Sequence, residues 1–356
     1  MAIKSDNKNL HFIIGIGRSG TTILTKLLNS YKDVHCLPEA NFLVFFLQKY
    51  KEKQTFSKQE IELIFKEINL YAISHPWIGW TFNSQEVKQL VIRRIEIDSH
   101  INFNELITLI YEQFKVVGYD KSKAKILIDK NPSYTIFSKN ISSQFKTSKF
   151  IFITRDYRAN ILSRKQSIYL KSPNIAYNAT RWKLYNSIAY KFYKSNPDKV
   201  ILVKYEDLVI NKDLELEKIR AFLNISSEKD TLNENEKIDF TTFNLDNKFK
   251  DRFIKKYSDL DKEVNASRLD SWKNQLSITE QETCDVICGN IGKKIGFHPI
   301  NRLSFSKIIF TNLKNIIPIC KGYIDILKDK IIYFFPINIK LDRLTTNYKK
   351  IGFIKK

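Results

Sequence analysis

Near the N-terminus, the segment HFIIGIGRSGTTILTKLLNS carries glycine, hydroxyl and guanidinium groups at a spacing suited to binding phosphate or sulfate. Gly15 and Gly20 stand where the pattern G-x-x-x-x-G-K-[ST] has its glycines, and Thr22 stands where it has its hydroxyl. The lysine position holds Thr21, and a positive charge, Arg18, lies inside the loop instead. Glycines let backbone N–H groups approach an oxyanion, and a following helix directs the positive end of its dipole towards it.

The missing lysine bears on the kind of anion that the loop binds. In nucleotide hydrolases, the loop lysine and a Mg²⁺ ion together neutralise a triphosphate. Here the lysine is absent, and no clear acidic residue ends a strand where it could hold the metal. The pattern therefore favours a metal-free site for a mono- or diester-like anion over a site for a magnesium–nucleotide complex.

A strand and a helix must position this loop, and both patterns are present. LHFIIGIG is a short apolar run typical of a buried parallel strand, and Ile23, Leu24, Leu27 and Leu28 follow at helical spacing. Alternating strand and helix patterns predict an α/β fold, namely a three-layer αβα arrangement with a mostly parallel central sheet and a P-loop-like first unit. The weaker strand patterns are AKILIDK (124–130), SKFIFITRD (148–156) and DKVILVKYEDL (198–208).

The remaining segments predict the domain organisation. Residues from about 41 to 120 are rich in helix formers and aromatics, among them HPWIGW (75–80), and we expect a helical insertion that could form a substrate wall or lid. A loop-rich excursion is expected over 224–265, followed by a helix over 279–296. We expect one domain over residues 1–300 and a distinct tail over 301–356.

The predicted tail is strongly basic, with 12 Lys+Arg and 3 Asp+Glu. Lys307, Lys314, Lys321 and Lys328 recur every seven residues opposite apolar positions, in a pattern interrupted at Pro318. A basic amphipathic helix of this kind suits attachment to an anionic membrane surface. A helix packed on the core with solvated lysines is the alternative, and residue types alone favour it.

Composition narrows the class of protein. The 356 residues are 43% hydrophobic and carry a net charge of +21, which suits nucleic acid, an anionic membrane, or an anionic cosubstrate. No helix-turn-helix or RNA-reading signature supports nucleic acid. Cys284 and Cys288 are spaced i, i+4, but no further His or Cys completes a metal site. No signal peptide and no run of about 20 apolar residues is apparent, so we expect a cytoplasmic protein, or one peripheral at the inner membrane face.

With its continuation SYKDVHCLPE, the loop resembles the 5′-phosphosulfate loop of the PAPS-dependent sulfotransferases, PAPS being 3′-phosphoadenosine 5′-phosphosulfate. The resemblance implies the P-loop-like fold, PAPS as sulfuryl donor, 3′,5′-ADP as product and no metal. The family core [PG]-[KR]-[ST]-G-T-T matches Gly17, Arg18, Ser19, Gly20, Thr21 and Thr22.

Three later segments extend the resemblance over roughly residues 10 to 298. FIFITRDYRANILSRKQS resembles the 3′-phosphate motif, which implies that Arg155 and Ser163 converge on one phosphate. VILVKYEDLV resembles the segment whose tyrosine, here Tyr205, borders the adenine. VNASRLDSWKNQL resembles the segment in which a basic residue near a tryptophan closes over the 3′-phosphate, and Lys273 beside Trp272 takes that role, although core packing of Trp272 is an equal alternative.

The resemblance also implies the groups that perform the transfer. In-line sulfuryl transfer to a hydroxyl needs a base for the acceptor proton and cations for the charge on the leaving oxygen. In tyrosylprotein and several bacterial sulfotransferases, a glutamate lies about 21 residues after the loop arginine, which corresponds to Glu39. His35 is the alternative base. The DK-x-P stretch IDKNPSY implies that Lys130, with Arg18, stabilises the leaving oxygen, and Ser258 is a candidate for an assisting serine.

The acceptor is the least determined part of this hypothesis. The branch with a glutamate base fits better than the cytosolic branch with a histidine base, but the tyrosylprotein branch has an arginine where this chain has Ser167. We expect a carbohydrate or glycolipid acceptor, because the aromatic residues of HPWIGW could stack on sugar rings. A tyrosylprotein or small-molecule acceptor is the alternative, and a P-loop kinase is a more distant one.

Overall fold

The computed structural model describes residues 8–40, 42–74, 80–167, 172–230, 266, 269–300 and 303–332, with isolated positions beyond (334–336, 338, 339, 342 and 346). Its main sheet is parallel and consists of β1 (Asn9–Ile14), β2 (Val34–Cys36), β5 (Ile126–Lys130), β6 (Phe150–Thr154) and β7 (Val200–Lys204). A second, two-stranded antiparallel sheet pairs β3 (Trp80–Thr81) with β4 (Lys115–Val116).

The helices follow the strands in the order that the sequence predicts. In the first half of the chain they are α1 (Thr21–Asn29), α2 (Phe42–Tyr50), α3 (Lys58–Ser74), α4 (Ser84–Asp98), α5 (Phe103–Glu112), a 3₁₀ helix (Pro132–Phe137), α6 (Ser138–Gln144) and α7 (Tyr157–Lys165). In the second half they are α8 (Ile175–Ser195), α9 (Tyr205–Ile210), α10 (Lys212–Leu223), α11 (Trp272–Gln275), α12 (Ile278–Ile295), α13 (Phe305–Lys314) and α14 (Ile316–Ile332).

The strands are buried on both faces, which confirms the predicted αβα layering. Successive residues of a strand point to opposite faces. In β6, Phe150 and Phe152 belong to the apolar core that includes Trp182 of α8, whereas Ile151 and Ile153 belong to the core that includes α1 and α10. Helices therefore cover both faces of the sheet, as a near-continuous apolar strand requires.

The strand order β2-β5-β1-β6-β7 sets where a ligand can bind. From β1 the chain first builds the β2 and β5 side of the sheet and then crosses to β6 and β7 on the other side. In open parallel sheets, ligands bind beyond the carboxyl ends of the strands where this direction reverses. That point lies between β1 and β6, so the glycine loop after β1 and the residues after β6 share one crevice.

The predicted insertion is helical and forms α2 to α5, packed on an aromatic core. The ring centroids of Phe42 and Tyr111 lie 5.3 Å apart, and those of Phe82 and Phe114 lie 4.4 Å apart. The β3/β4 sheet within it was not predicted. Most of the HPWIGW segment, and residues 231–265 of the predicted loop-rich excursion, lie outside the described residues.

The C-terminal region is helical, and α14 packs against α8. Tyr177 donates a hydrogen bond to Asp325 over 2.8 Å, and Arg181 lies 3.1 Å from a carboxylate oxygen of Asp329. A Cβ at Gly322 would lie 2.8 Å from Thr180, so glycine permits the close approach. Of the helices in the described residues, none is both long and apolar enough to cross a bilayer.

The break in the C-terminal helical pattern lies at Asn315 rather than at Pro318, where the sequence pattern placed it. Asn315 is the C-cap of α13, and α14 begins one residue later. Pro318 therefore falls in the first turn of α14, where its missing N–H would have no intrahelical acceptor. The proline is compatible with this helix because of that position.

Candidate active site

The glycine loop begins with a turn that only glycine permits. Gly15 has φ +147°, and a Cβ there would lie 2.2 Å from the carbonyl oxygen of Ile153 in β6. The N–H of Gly15 donates to the hydroxyl of Thr135, which in turn donates to the Gly15 carbonyl. The loop is thus held between β6 and the 3₁₀ helix. The sequence analysis did not predict this contact of Thr135.

The N-terminus of α1 has a geometry that suits an oxyanion. Gly20 is its N-cap, with φ 90° and ψ 10°, and within the described residues no side chain caps it and its first turn holds no acidic residue. The N–H groups of that turn and the positive end of the helix dipole are therefore available to an oxyanion, with Thr21 and Thr22 beside them. The side chain of Ser19 is buried and accepts a hydrogen bond from Asn160 over 3.1 Å.

Arg18 connects the glycine loop to the segment that resembles the 3′-phosphate motif. It adopts a left-handed backbone conformation, with φ 76°, which is uncommon for a residue other than glycine and often marks a functional site. Its Nε donates to the hydroxyl of Ser163 on α7 over 3.0 Å. The two motifs predicted to bind the two ends of one nucleotide thus meet directly through Arg18 and Ser163. That contact joins residues 145 positions apart, and the sequence did not indicate it.

Arg155 and Tyr205 form the wall beside this loop. Arg155 follows β6 and Tyr205 follows β7, and the guanidinium carbon of Arg155 lies 4.6 Å from the centroid of the Tyr205 ring. The same ring fits against Gly20, where a Cβ would lie 2.3 Å from Cδ2 of the tyrosine. Tyr205 therefore contacts both Arg155 and Gly20, and the three residues form a contact chain, as expected if all three border one nucleotide.

Glu206 follows Tyr205 and is a buried carboxyl in this wall. Its Oε1 accepts a hydrogen bond from the backbone N–H of Asp156 over 2.9 Å. Burial raises the pKa of Glu206 to about 7, and the nearby charge of Arg155 opposes that shift. Asp156 in turn caps α7, since its side chain accepts from the N–H of Arg158. Glu206 and Asp156 thereby join the ends of β6 and β7.

Lys130 and Glu39 form an ion pair on the other side of the loop. Lys130 is the last residue of β5 and is buried, whereas Glu39 follows β2 and is partly exposed. Because β5 lies between β2 and β1, the two residues meet although 91 positions separate them. The predicted base and the predicted cation are thus in direct contact at the carboxyl edge of the sheet.

Asp129, the residue before Lys130 in β5, is a buried carboxyl that interacts with two tyrosines. The hydroxyls of Tyr111 and Tyr134 donate to its Oδ2 over 2.6 and 2.7 Å. Burial raises the pKa of Asp129 to about 7, while the two tyrosine hydroxyls and Lys130 oppose the shift. Sequence reasoning weighed Asp129 only as the ion-pair partner of a solvated Lys130, although an acidic residue within an apolar strand was a signal of a buried polar network.

Trp80 is the one residue of the HPWIGW segment that the structure describes. Its indole N–H donates to the carbonyl of Cys36 over 3.0 Å. Cys36 ends β2, three residues before Glu39. The contact places the partly buried Trp80 ring at the edge of the sheet that carries the ion pair.

The alternative base, His35, has an unsuitable environment. It is only 1% exposed within β2, and its Nε2 makes no hydrogen bond within the described residues. Burial, together with the charges of Lys8 and Lys121, lowers the pKa of His35 to about 3. An imidazole with so low a pKa is a weak proton acceptor, and an acceptor substrate does not reach a fully buried side chain.

Trp272 packs in the core, and Lys273 lies at the surface beside it. The Trp272 ring centroid is 4.1 Å from the guanidinium carbon of Arg158, which is itself paired with Asp156. The Lys273 side chain is 52% exposed and lies 3.0 Å from a carboxylate oxygen of Asp270. The carbonyl of Lys273 accepts a hydrogen bond from Gln281 of α12. The predicted phosphate role of Lys273 stays a prediction. Ser258 lies outside the described residues.

Three of the four cysteines take part in packing. Cys36, Cys284 and Cys288 are buried, whereas Cys320 is exposed. The thiol of Cys288 contacts the carbonyl of Ala179 at 3.3 Å. Among the residues that the structure describes, no group of three or more His, Cys, Asp or Glu side chains is placed to hold a metal ion.

The candidate site residues other than Ser258 and Lys273 lie within a segment that matches proteins of known class. Residues 11–229 match the model of the Sulfotransferase family. A Caenorhabditis briggsae protein described as a putative protein-tyrosine sulfotransferase is 24% identical over 277 residues, which cover 75% of this chain and 82% of that protein. A Drosophila melanogaster protein-tyrosine sulfotransferase is 23% identical over 223 residues, 61% of this chain and 38% of the fly protein.

Solved structures of the same class are also similar. The sulfotransferase domain of the olefin synthase of Synechococcus PCC 7002 is 19% identical, with a TM-score of 0.46. That comparison covers 78% of this chain and 94% of the Synechococcus domain.

Proposed function

Because this chain belongs to the sulfotransferase family and is a transferase, we propose that it moves the sulfuryl group of PAPS to a hydroxyl of an acceptor. The observation that carries the proposal is the convergence of five strand ends on one edge of the sheet. The glycine loop follows β1, Arg155 follows β6 and Tyr205 follows β7. On the other side of the loop, Glu39 follows β2 and Lys130 ends β5.

The residues present fit a donor with a phosphosulfate at one end and a phosphorylated ribose at the other. The uncapped N-terminus of α1 suits the phosphosulfate. A Cβ at Gly17 would meet no described atom within 4 Å, so the loop leaves open space at that point. Arg155 and Ser163 suit the 3′-phosphate, and the Tyr205 ring suits the face of a base. Lys273 is proposed to close over the same phosphate.

The bound donor supplies an activated sulfuryl group, and the chain's own residues supply the proton transfer and the charges. Glu39 accepts the proton of the attacking hydroxyl, because its carboxylate is partly exposed beside Lys130. Lys130 and Arg18 stabilise the negative charge that develops on the leaving oxygen. The buried Asp129 holds the end of β5 through its two tyrosine partners and thereby positions Lys130.

Two classes of acceptor fit the proposal. A carbohydrate or glycolipid is supported by Trp80, since its indole hydrogen bond to Cys36 holds an aromatic ring at the end of β2, the strand that Glu39 follows. A tyrosyl peptide is supported by the relatives in Caenorhabditis briggsae and Drosophila melanogaster, which are described as protein-tyrosine sulfotransferases. A transfer assay with PAPS across glycans, glycolipids and tyrosyl peptides, read by mass spectrometry, distinguishes them.

Donor binding is tested by calorimetry with 3′,5′-ADP, with and without EDTA. We expect tight binding that EDTA does not change. Binding of ATP that requires Mg²⁺, with no affinity for 3′,5′-ADP, would instead indicate a P-loop kinase and overturn the proposal.

Catalysis by Glu39 is tested with Glu39→Gln. Loss of a positioned general base lowers turnover by about 10²- to 10⁴-fold. The amide keeps the shape of the side chain, so we expect affinity for 3′,5′-ADP to change by less than about tenfold. The matched control is Glu62→Gln, which alters a surface ion pair with Lys88. Near-wild-type turnover of Glu39→Gln would place the base elsewhere.

A further inference from the structure

The two C-terminal helices expose apolar side chains along their length. In α13, Phe305, Ile309 and Leu313 recur at intervals of four residues, and Phe305 and Leu313 are 78% and 65% exposed. No residue of α13 is buried. Apolar residues at i, i+4 and i+8 of a helix lie on one face, and such a face is normally covered in a folded protein.

Helix α14 has one face against the protein and an apolar face against solvent. Gly322 and Ile326 are buried against the body of the protein. Ile317, Ile324 and Ile331 recur every seven residues on the opposite side, and they are 79%, 49% and 45% exposed. Leu327 and the exposed Cys320 lie on the same side. Packing on α8 therefore leaves a second apolar stripe uncovered.

The acidic side chains of α14 contact α8, whereas its lysines are exposed. Its acidic residues, Asp325 and Asp329, turn towards α8, where they meet Tyr177 and Arg181. Lys321 and Lys328 are exposed along one side of the outer apolar stripe, and Nζ of Lys321 lies 5.6 Å from the ring centroid of Tyr177. The surface around the stripe is consequently apolar and cationic, with the carboxylates of Asp325 and Asp329 paired to side chains of α8.

We propose that the exposed apolar faces of α13 and α14 lie on an anionic lipid surface, with the apolar side chains in the interface and the lysines at the headgroups. A helix with an apolar face and lysines beside it binds in the plane of such an interface. A second copy of this chain is a poorer occupant, because each copy carries a net charge of +21 and would bring its own lysines to the contact. The inference does not depend on the identity of the donor or the acceptor.

The exposed Cys320 provides a direct reporter, because Cys36, Cys284 and Cys288 are buried. An environment-sensitive thiol dye on Cys320 of the full chain should shift to shorter emission wavelengths with vesicles of phosphatidylcholine and phosphatidylserine, and brominated lipids should quench it. With vesicles of phosphatidylcholine alone the shift should be much smaller. High salt should weaken the binding, because it screens the lysines.

Two variants separate the apolar contribution from the charge contribution. Ile317→Ser/Ile324→Ser/Ile331→Ser should lower vesicle affinity by roughly a hundredfold or more, because it removes the apolar surface that enters the interface. Lys321→Gln/Lys328→Gln should lower it by about fivefold per lysine and reduce the salt dependence. The matched controls are Ile210→Ser/Leu214→Ser/Ile278→Ser, at exposed apolar positions outside these helices, and Lys293→Gln/Lys294→Gln on α12.

Three outcomes would overturn the proposal. One is an absence of dye shift and co-sedimentation with anionic vesicles at low salt. The second is a vesicle affinity that falls as much in the control variants as in the α14 variants. The third is a dye shift without vesicles that grows with protein concentration and is lost in the triple isoleucine variant, since it would show that a second copy occupies the face. Circular dichroism and thermal unfolding establish that each variant is folded.

Discussion

Replacing Gly20 by alanine tests whether the Gly20–Tyr205–Arg155 contact chain is the wall of the nucleotide site. Gly20 has φ 90°, and a left-handed conformation costs an alanine roughly 1–2 kcal/mol. The new Cβ would lie 2.3 Å from Cδ2 of Tyr205, so the ring must retreat by about 1 Å to restore ordinary contact. Displacement of the ring from the Arg155 guanidinium forfeits a further ~0.5–1 kcal/mol.

The expected destabilisation of Gly20→Ala is therefore about 2 kcal/mol, which a domain of ordinary stability survives. The effect on ligand binding should be large, since the variant moves both the ring proposed to border the adenine and the arginine proposed to hold the 3′-phosphate. A hydrogen bond to a charged group contributes about 1.5–3 kcal/mol, so affinity for 3′,5′-ADP should fall by roughly ten- to a hundredfold.

The assay pairs urea unfolding with calorimetric titration of 3′,5′-ADP, and two glycines serve as controls. Gly118→Ala introduces a comparable backbone strain at φ 84° outside the proposed site, and should lose stability without losing affinity. Gly17→Ala adds a methyl group that meets no described atom within 4 Å, so the stability of the protein should not change. The affinity for 3′,5′-ADP should fall, because the methyl group enters the open space proposed for the donor. If folded Gly20→Ala bound 3′,5′-ADP as tightly as the wild type, Tyr205 and Arg155 would not form the nucleotide wall.

Two further substitutions test the remaining parts of the site. Arg155→Ala should weaken 3′,5′-ADP binding by about tenfold or more, because it removes the proposed cation for the 3′-phosphate, and an unchanged dissociation constant would show that Arg155 does not contact the ligand. Asp129→Asn should flatten the pH dependence of stability. The folded-state pKa of Asp129 is raised from 3.8 to about 7 by burial, so the folded state keeps a proton that the unfolded state loses, and stability falls as the pH rises between these values. Urea unfolding at pH 5 and pH 7 should show a loss for the wild type that exceeds that of Asp129→Asn by on the order of 2 kcal/mol, and equal losses would contradict the raised pKa.

Much of the site was predictable because its residues stand where apolar runs end. In a parallel sheet, strands of the same direction present their carboxyl ends at one edge, so Arg155, Lys130 and Tyr205 could be assigned to that edge from local patterns. The glycine loop was predictable for a similar reason, since the strand, the turn and the helix that build it are adjacent in the sequence. These assignments required only residue types and short spacings.

Other features depend on which distant segments become neighbours. Arg18 bonds to Ser163, and Asp129 accepts from Tyr111, which lies on a helix of the insertion. The burial that removes His35 as a suitable base likewise follows from its place in β2 rather than from its own residue type. No periodicity in the sequence encodes these contacts, because each one joins two elements that are separate along the chain.

The sequence by itself determined the α/β class, the strand–glycine loop–helix unit and the strand-end residues, since these follow from local alternation of apolar, glycine and charged positions. Tertiary structure alone decided how they combine. The insertion of β5 between β2 and β1 brings Lys130 to Glu39. The packing of α14 on α8 pairs Asp325 and Asp329 with α8 and leaves Ile317, Ile324 and Ile331 exposed. The physical reason is that strand order and helix docking are set by the burial of whole faces, which depends on the sum of many contacts and not on any single motif.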